Sequence, residues 1–254
     1  MNVLVSGASG KMGDEVAKEI ENHKDLNLVC GFDKENSNEK GFPIYSNIDD
    51  IKEKVDVIID FSVPQATFKI LEYAVKNKVP IVIATTGFTK EEIEQIKEFS
   101  KEIPIFRSSN MSLDINLMAK ILQEVAKVLK DTDIEIIETH HNRKLDAPSG
   151  TAILLANAIN EVLEEKKIYD FERMQRRAPR NKNEIGFSSI RGGNIVGEHT
   201  VCFFGENETL EITHKAYSRK VFAEGAVKAA TFLVNKKNGL YDMKCLTGDV
   251  SNAT

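Results

Sequence analysis

The sequence predicts an α/β chain in two parts: a nucleotide-type domain built on a parallel sheet, then an α+β domain. Three observations predict it. Over the first hundred residues, short β-rich runs alternate with helix-period segments. A glycine-rich turn, Gly7-Ala-Ser-Gly10-Lys-Met-Gly13, directly follows the first of those runs. After residue 112 the alternation gives way to one long helical segment and strands joined by tight turns. Alternating strands and helices imply βα units with a sheet buried on both faces, whereas tight turns imply antiparallel pairing.

Taken in order, Asn2 to Ser6 is the first strand, and residues 11–22 carry Met12, Val16 and Ile20 at helical spacing. Leu26 to Phe32, Val55 to Phe61, Pro80 to Ala84 and Pro104 to Arg107 are the next four strands. Ser62-Val-Pro-Gln65 and Thr89-Lys-Glu-Glu92 have the form of capping boxes opening helices to about Asn77 and Lys101. Ser112 is placed to cap a long helix with Leu113, Leu117, Ile121 and Val125 on its apolar face. Ile134 to Thr139 is a strand, and a helix starts near Ser149. Residues 185–214 read as a β-meander with turns at Gly192-Gly193-Asn194 and Gly205-Glu-Asn207. A last helix, about Val221 to Val234, is expected to return to the first domain. The division expected is 1–111 plus 221–254, and 112–220.

Composition excludes several classes. The 254 residues carry a net charge of −5, the wrong sign for a general nucleic-acid binder. Hydrophobic residues are 41% and charged residues 29%, as in ordinary globular proteins. No apolar run approaches the ~18 residues of a membrane span, and the start, MNVLVSGASG, has no signal-type stretch. Cys30, Cys202 and Cys245 form neither a zinc pattern nor a CxxC pair, so reduced thiols are expected. A cytoplasmic protein is the resulting expectation.

The glycine-rich turn lets the backbone approach a pyrophosphate, and the helix it opens supplies free N–H groups and a partial positive charge. Asp33 lies 20 residues after Gly13, at the end of the second strand, where a carboxylate accepts from ribose hydroxyls. Lys34 beside it can pair with a 2′-phosphate, so NADH and NADPH are both expected. Together these make the first part a Rossmann-type dinucleotide-binding domain. Ala84-Thr85-Thr86-Gly87 and Ser108-Ser109-Asn110-Met111 follow consecutive strands at their C-terminal ends, where open α/β sheets bind ligands.

The densest cluster is Glu138-Thr-His140-His141-Asn-Arg143-Lys144-Leu-Asp146-Ala-Pro-Ser149-Gly150-Thr151, which holds two of the five histidines. Adjacent loop histidines without an acidic or thiol ligand set are a poor metal signal, so no metal is expected. A histidine suits proton transfer near neutral pH. Arg143 and Lys144 suit a carboxylate, as does the helix start after Ser149. The loop therefore reads as a site for a small anion that receives a proton. Lys166 to Lys182 holds seven Lys or Arg and two acids and reads as a solvated loop. Arg191-Gly-Gly193, His214-Lys215 and Arg219 gain no role from spacing alone.

At this cluster the sequence resembles the 4-hydroxy-tetrahydrodipicolinate reductase (dihydrodipicolinate reductase) family of the diaminopimelate–lysine pathway. The resemblance runs through Glu138 to Ala152, Gly7 to Gly13, Asp60-Phe-Ser62, Thr85-Thr-Gly87, Arg191 to His199 and the segment around His214, Lys215 and Phe222, covering about residues 1–243. It implies NAD(P)H-dependent reduction of a cyclic imine dicarboxylate and a homotetramer built through the second domain's sheet. It implies His140 as proton donor or acceptor, and Lys144 as a second donor that also engages substrate. His141 and the Ser149, Gly150 and Thr151 helix start would bind the substrate carboxylates. Gly7, Ala8, Ser9, Gly10, Lys11, Met12, Asp33, Lys34, Ala84, Thr85, Thr86, Ser108, Ser109, Asn110 and Met111 would contact the cofactor. A related amino-acid or sugar dehydrogenase would share the first domain but would not need the 140–151 loop, and a non-catalytic NADP(H) sensor would show no turnover.

Overall fold

A computed structural model describes residues 1–173 and 176–248. The chain divides into two compact units, Met1–Leu113 with Arg219–Thr254, and Asp114–Ser218. Residues 249–254 of the expected segment 221–254, and residues 174–175 of the basic stretch, lie outside the described residues.

The first unit is built on a seven-stranded sheet of β1 (Asn2–Ser6), β2 (Asn27–Phe32), β3 (Ile44–Tyr45), β4 (Val57–Asp60), β5 (Ile81–Ile83), β6 (Pro104–Arg107) and β12 (Gly239–Tyr241). Their order is β12-β6-β5-β4-β1-β2-β3, with every pairing parallel. Alternate residues of the central strands feed two cores, which is why those strands read as continuous apolar runs. Val3, Val5, Val57, Ile59 and Phe106 pack with Val16 and Ile20 of α1 (Lys11–Glu21) and with Ala226 and Ala230 of α6 (Lys220–Leu233). Leu4, Ile58, Ile81, Ile83 and Ile105 pack with Ile70 and Leu71 of α2 (Pro64–Asn77) and Ile96 of α3 (Lys90–Phe99). Helix α6 approaches so closely that a Cβ at Gly225 would stand 1.7 Å from the Met111 carbonyl oxygen. The short edge strands β3 and β12 left no periodic signal in the sequence.

Of the two expected capping boxes, only one forms. Thr89 and Glu92 bond reciprocally at the start of α3. At α2 the residue before the helix is Val63, with no side-chain cap. Ser62 stands one residue before the cap position and donates its hydroxyl to the buried Asp60 carboxylate at 2.6 Å, a charge-assisted bond.

The second unit has a five-stranded sheet of β7 (Asp133–His140), β8 (Ile168–Asp170), β9 (Glu184–Arg191), β10 (Gly197–Phe204) and β11 (Thr209–Ala216), in the order β11-β10-β7-β9-β8. The expected meander is therefore corrected. Strands β10 and β11 do form an antiparallel hairpin, closed by Gly205 N–H to the Glu208 carbonyl. Strands β9 and β10 are not neighbours: β7 lies between them, parallel to β9 and antiparallel to β10. The Gly192-Gly193-Asn194 turn passes over the end of β7, held by Gly192 N–H to His140 O and Asn142 N–H to Gly193 O. A turn signature shows that the chain turns, not which strand it returns beside.

Helices α4 (Leu113–Val128) and α5 (Gly150–Val162) supply Met118, Leu122, Ala126, Leu155, Ala156 and Ile159 to one face of this sheet, against Ile134, Ile136, Ile185, Val201 and Phe203. The buried face of α4 is thus Ile115, Met118, Leu122 and Ala126, not the expected stripe. Leu117 and Ile121 are 46% and 43% exposed. Both stripes have helical spacing, and only tertiary packing chooses between them.

The reading of Lys166 to Lys182 as a solvated loop is also corrected. Lys167 is buried and donates to the Lys182 carbonyl. Arg180 donates to Asp133 and Glu135 and to the Ile134 and Glu184 carbonyls. Arg173 and Arg176 pair with the buried Glu184. A cation run looks solvated only while its partner acids, which come from β7 and β9, are far away in sequence.

Candidate active site

The expected cofactor residues sit at the C-terminal ends of neighbouring parallel strands of the first unit. Gly7 adopts a left-handed φ of 78°, and a Cβ there would stand 2.6 Å from the Phe61 carbonyl oxygen. A Cβ at Gly13 would stand 2.4 Å from the Gly7 carbonyl oxygen. Both glycines are required for the loop to seat against β4 and α1. Gly10 precedes α1 and has no side chain to cap it, so the N–H groups that open the helix at Lys11 and Met12 carry no side-chain cap. That is an anion cradle of the form a pyrophosphate needs, and the residues present fit a dinucleotide.

Asp33 accepts from the Ser9 N–H and the Lys34 N–H, each at 2.7 Å. The Lys34 side chain is exposed. A cation that sequence reasoning missed lies on the same loop: Lys40 donates to the Ala8 carbonyl at 2.9 Å and to the Asp14 carboxylate. No sequence signal marks it, because 32 residues separate Lys40 from Ala8.

Below the next two loops lies Asp60, fully buried at the end of β4. It accepts from the hydroxyls of Ser62 (2.6 Å), Thr67 (2.6 Å) and Thr85 (2.8 Å). Thr85 is thereby turned inward, while Thr86 is exposed beside Ala84. Ser108 donates to the Asn110 carbonyl at 2.7 Å, and Asn110 Oδ1 accepts from Ser112 N–H. Met111 is buried in the core, which leaves Ser109 as the exposed residue of that turn.

In the second unit the cluster is organised around Glu138. Strand alternation points Glu138 and His140 to the same face of β7 as Ile134 and Ile136, and both side chains are buried. One Glu138 oxygen lies 2.5 Å from His140 Nδ1 and 2.8 Å from an Arg191 nitrogen. The other accepts from Arg191 at 2.6 Å and from the Ser149 N–H at 3.2 Å. Burial alone would raise the Glu138 pKa, but the bonds from His140 and Arg191 prevail and hold it well below the usual carboxylate range. Ser149 caps α5 by accepting from Ala152 N–H, and its hydroxyl bonds His199 Nε2 at 2.8 Å. The His199 ring stands edge-on to His140, with centroids 5.1 Å apart. Burial, with the nearby His140 charge, pushes His199 down to about 3.

Lys144 reaches Asp146 at 2.8 and 2.9 Å, and Arg143 reaches Asn194 at 3.0 Å. His141 N–H donates to the Ile195 carbonyl at 2.8 Å, so the loop that crosses β7 also holds the loop carrying these cations. Gly150 and Thr151 open α5, whose first turn has no acidic residue. The second unit thus joins His140, His141, Lys144, Ser149, Gly150 and Thr151 into one constellation, with Glu138, Arg191 and His199 as members that had no assigned role. Glu138 was legible in principle, because residues two apart on a strand share a face. Among the described residues no group of three His, Cys, Asp or Glu side chains is placed to hold a metal, and no helix is long and apolar enough to cross a membrane.

Comparison with known proteins gives concordant matches. Residues 1–111 match the family model described as dihydrodipicolinate reductase, N-terminus, and residues 114–246 match its C-terminus counterpart. A 4-hydroxy-tetrahydrodipicolinate reductase of Caldanaerobacter subterraneus subsp. tengcongensis is 50% identical, covering 97% of this chain and 98% of its own. One from Clostridium novyi is 46% identical, covering 95% and 96%. A solved, dipicolinate-bound dihydrodipicolinate reductase from a Paenisporosarcina species superposes with a TM-score of 0.77 at 27% identity, over 95% of this chain and 97% of that one. A myo-inositol dehydrogenase from Corynebacterium glutamicum, at a TM-score of 0.57 and 16% identity over 94% of this chain and 90% of that one, shares the fold alone.

Proposed function

Because the chain belongs to the dihydrodipicolinate reductase family, we infer that it reduces 4-hydroxy-tetrahydrodipicolinate to tetrahydrodipicolinate in lysine and diaminopimelate biosynthesis, using NADH or NADPH. The observation that carries the reading is the second unit's constellation. A histidine bound to a buried carboxylate, a lysine and a helix N-terminus converge where a cyclic dicarboxylate would need a proton and two anion sites.

When bound, the reduced nicotinamide supplies a hydride. The residues of the first unit bind and orient it. The Gly10 to Met12 helix start takes the pyrophosphate, Asp33 the ribose, with Lys34 beside it. Ala84 to Thr86 and Ser108 to Met111 border the nicotinamide end. In the second unit, His141, Lys144 and the Ser149 to Thr151 helix start hold the substrate carboxylates. Negative charge that develops on the ring nitrogen and neighbouring carbons is stabilised by these cations and dipoles. His140 or Lys144 returns the proton, and the 4-hydroxyl of the substrate is lost as water, so that hydride and proton together balance the reduction.

A homotetramer in the cytoplasm completes the proposal. The helices α4 and α5 cover one face of the second sheet. The other face carries the exposed Ile137, Ile190 and Phe204, a surface suited to pairing with a second copy.

The test is a coupled assay in which a synthase generates the substrate and nicotinamide oxidation is followed. Turnover that requires the cyclic imine supports the reading. Cofactor binding without turnover would point to a sensor, and turnover only on an amino acid or sugar would point to a different dehydrogenase.

A further inference from the structure

Glu138 has more partners than a structural carboxylate needs. It bonds Arg191 through both oxygens, His140 through one of them and the Ser149 N–H through the other. A buried carboxylate without a cation would take up a proton. Here the Arg191 fork satisfies its charge, so it stays an acceptor at both oxygens. An acceptor facing His140 Nδ1 forces that nitrogen to carry a proton. In the neutral ring, Nε2 is then the atom with a free lone pair.

The space around Nε2 agrees with this. The residue beside it is Gly197, and a Cβ there would stand 3.0 Å from Nε2 and 3.4 Å from the adjacent carbon. Any other residue would press on the ring edge. His199, which approaches the ring from β10, is itself held by Ser149.

We propose that Glu138 is a positioning residue for proton transfer: kept ionised by Arg191, it fixes the His140 ring and tautomer so that Nε2 is the atom that gives and takes the proton. This rests on the assignment of His140 as a proton-transfer group. The charged and titratable groups around His140 are Glu138 on its own strand, Arg191 on β9, His199 on β10 with His214 beyond it on β11, and Lys144 with Asp146 on the loop. Among them, the Glu138 carboxylate is the one in contact with Nδ1, at 2.5 Å.

Two measurements test it. In the unaltered protein, imidazole ¹⁵N spectra at a pH where His140 is neutral should show the Nδ1–H tautomer, and an Nε2–H tautomer would overturn the proposal whether or not any variant folds. In kinetics, Glu138→Gln keeps the size of the side chain but not two acceptor oxygens. It should lower kcat at least ~10-fold and leave nicotinamide binding unchanged. Glu138→Asp should recover part of the rate. Combined with His140→Gln it should add less than about twofold to the loss, because Glu138 acts through His140. A near-native kcat in Glu138→Gln beside an impaired His140→Gln would remove only the positioning role. Near-native turnover in His140→Gln would instead remove the assignment on which the proposal rests.

Discussion

The Ala8–Ser9 peptide is held from both sides: its N–H donates to Asp33 at 2.7 Å, and its carbonyl accepts from Lys40 at 2.9 Å. An acid and a base thus fix one peptide plane of the glycine-rich loop. Lys34, exposed beside Asp33, is not part of that clamp. The two lysines should therefore behave differently. Lys34→Ala should weaken NADPH selectively, by up to ~10-fold for one exposed charge pair. Lys40→Ala should loosen the loop and weaken NADH and NADPH alike. Calorimetric titration of both cofactors distinguishes the two patterns, and equal weakening by Lys34→Ala would contradict the assignment of Lys34.

Asp60 collects three hydroxyl donors in a fully buried position. Asp60→Ala would leave Ser62, Thr67 and Thr85 without their acceptor, at a cost of about 3 kcal/mol if each loses roughly 1 kcal/mol. Thermal unfolding should show a clear drop in Tm. Nicotinamide affinity should fall as well, because Thr85 lies on one of the loops assigned to the cofactor. A variant with unchanged Tm would show that the network does not stabilise those loops.

Histidine His199 sets an acid limit on the second unit. Its pKa in the fold is about 3, against an ordinary value of 6.5. The folded state therefore binds fewer protons than the unfolded state between those values. The stability from neutral His199 is present above about pH 6.5 and is lost as the pH falls from there towards 3. His199→Asn should flatten the dependence of Tm on pH between 6.5 and 5, a range above most carboxylate titrations. An unchanged slope would contradict this.

The proposed assembly uses the face of the second sheet opposite α4 and α5. Ile190→Asp places a charge on the sheet face that also carries Ile137 and Phe204, which should dissociate the proposed tetramer while leaving the helix-covered core intact. Light scattering at micromolar concentration should give a tetramer for the unaltered chain and a smaller species for the variant. A monomer before substitution would refute the assembly.

Much of the fold was legible because its signals are local. Gly7 to Gly13, the apolar runs of β1, β4 and β5, and the Thr89–Glu92 cap each act within a few residues. What escaped depends on burial and tertiary packing, or on distant partners. Ser62 could cap α2 by its spacing, but it stands one residue before the cap position and bonds the buried Asp60. Leu117 and Ile121 match Met118 and Leu122 in spacing, and only packing separates them. The insertion of β7 between β9 and β10 is invisible to turn chemistry. In the site, the His140 to Thr151 cluster stood out by density. Arg191, His199 and Lys40 gained meaning only when strand register or a long loop brought them to Glu138, Ser149 and Ala8.

The central claim is that the loop ending β7 carries the chemistry, and His140→Gln tests it most directly. Its kcat on the synthase-generated cyclic imine should fall by ~10²–10⁴, the usual loss for a general acid or base. Nicotinamide binding, which is assigned to the first unit, should remain nearly intact. A His140→Gln enzyme with near-native kcat would contradict the account.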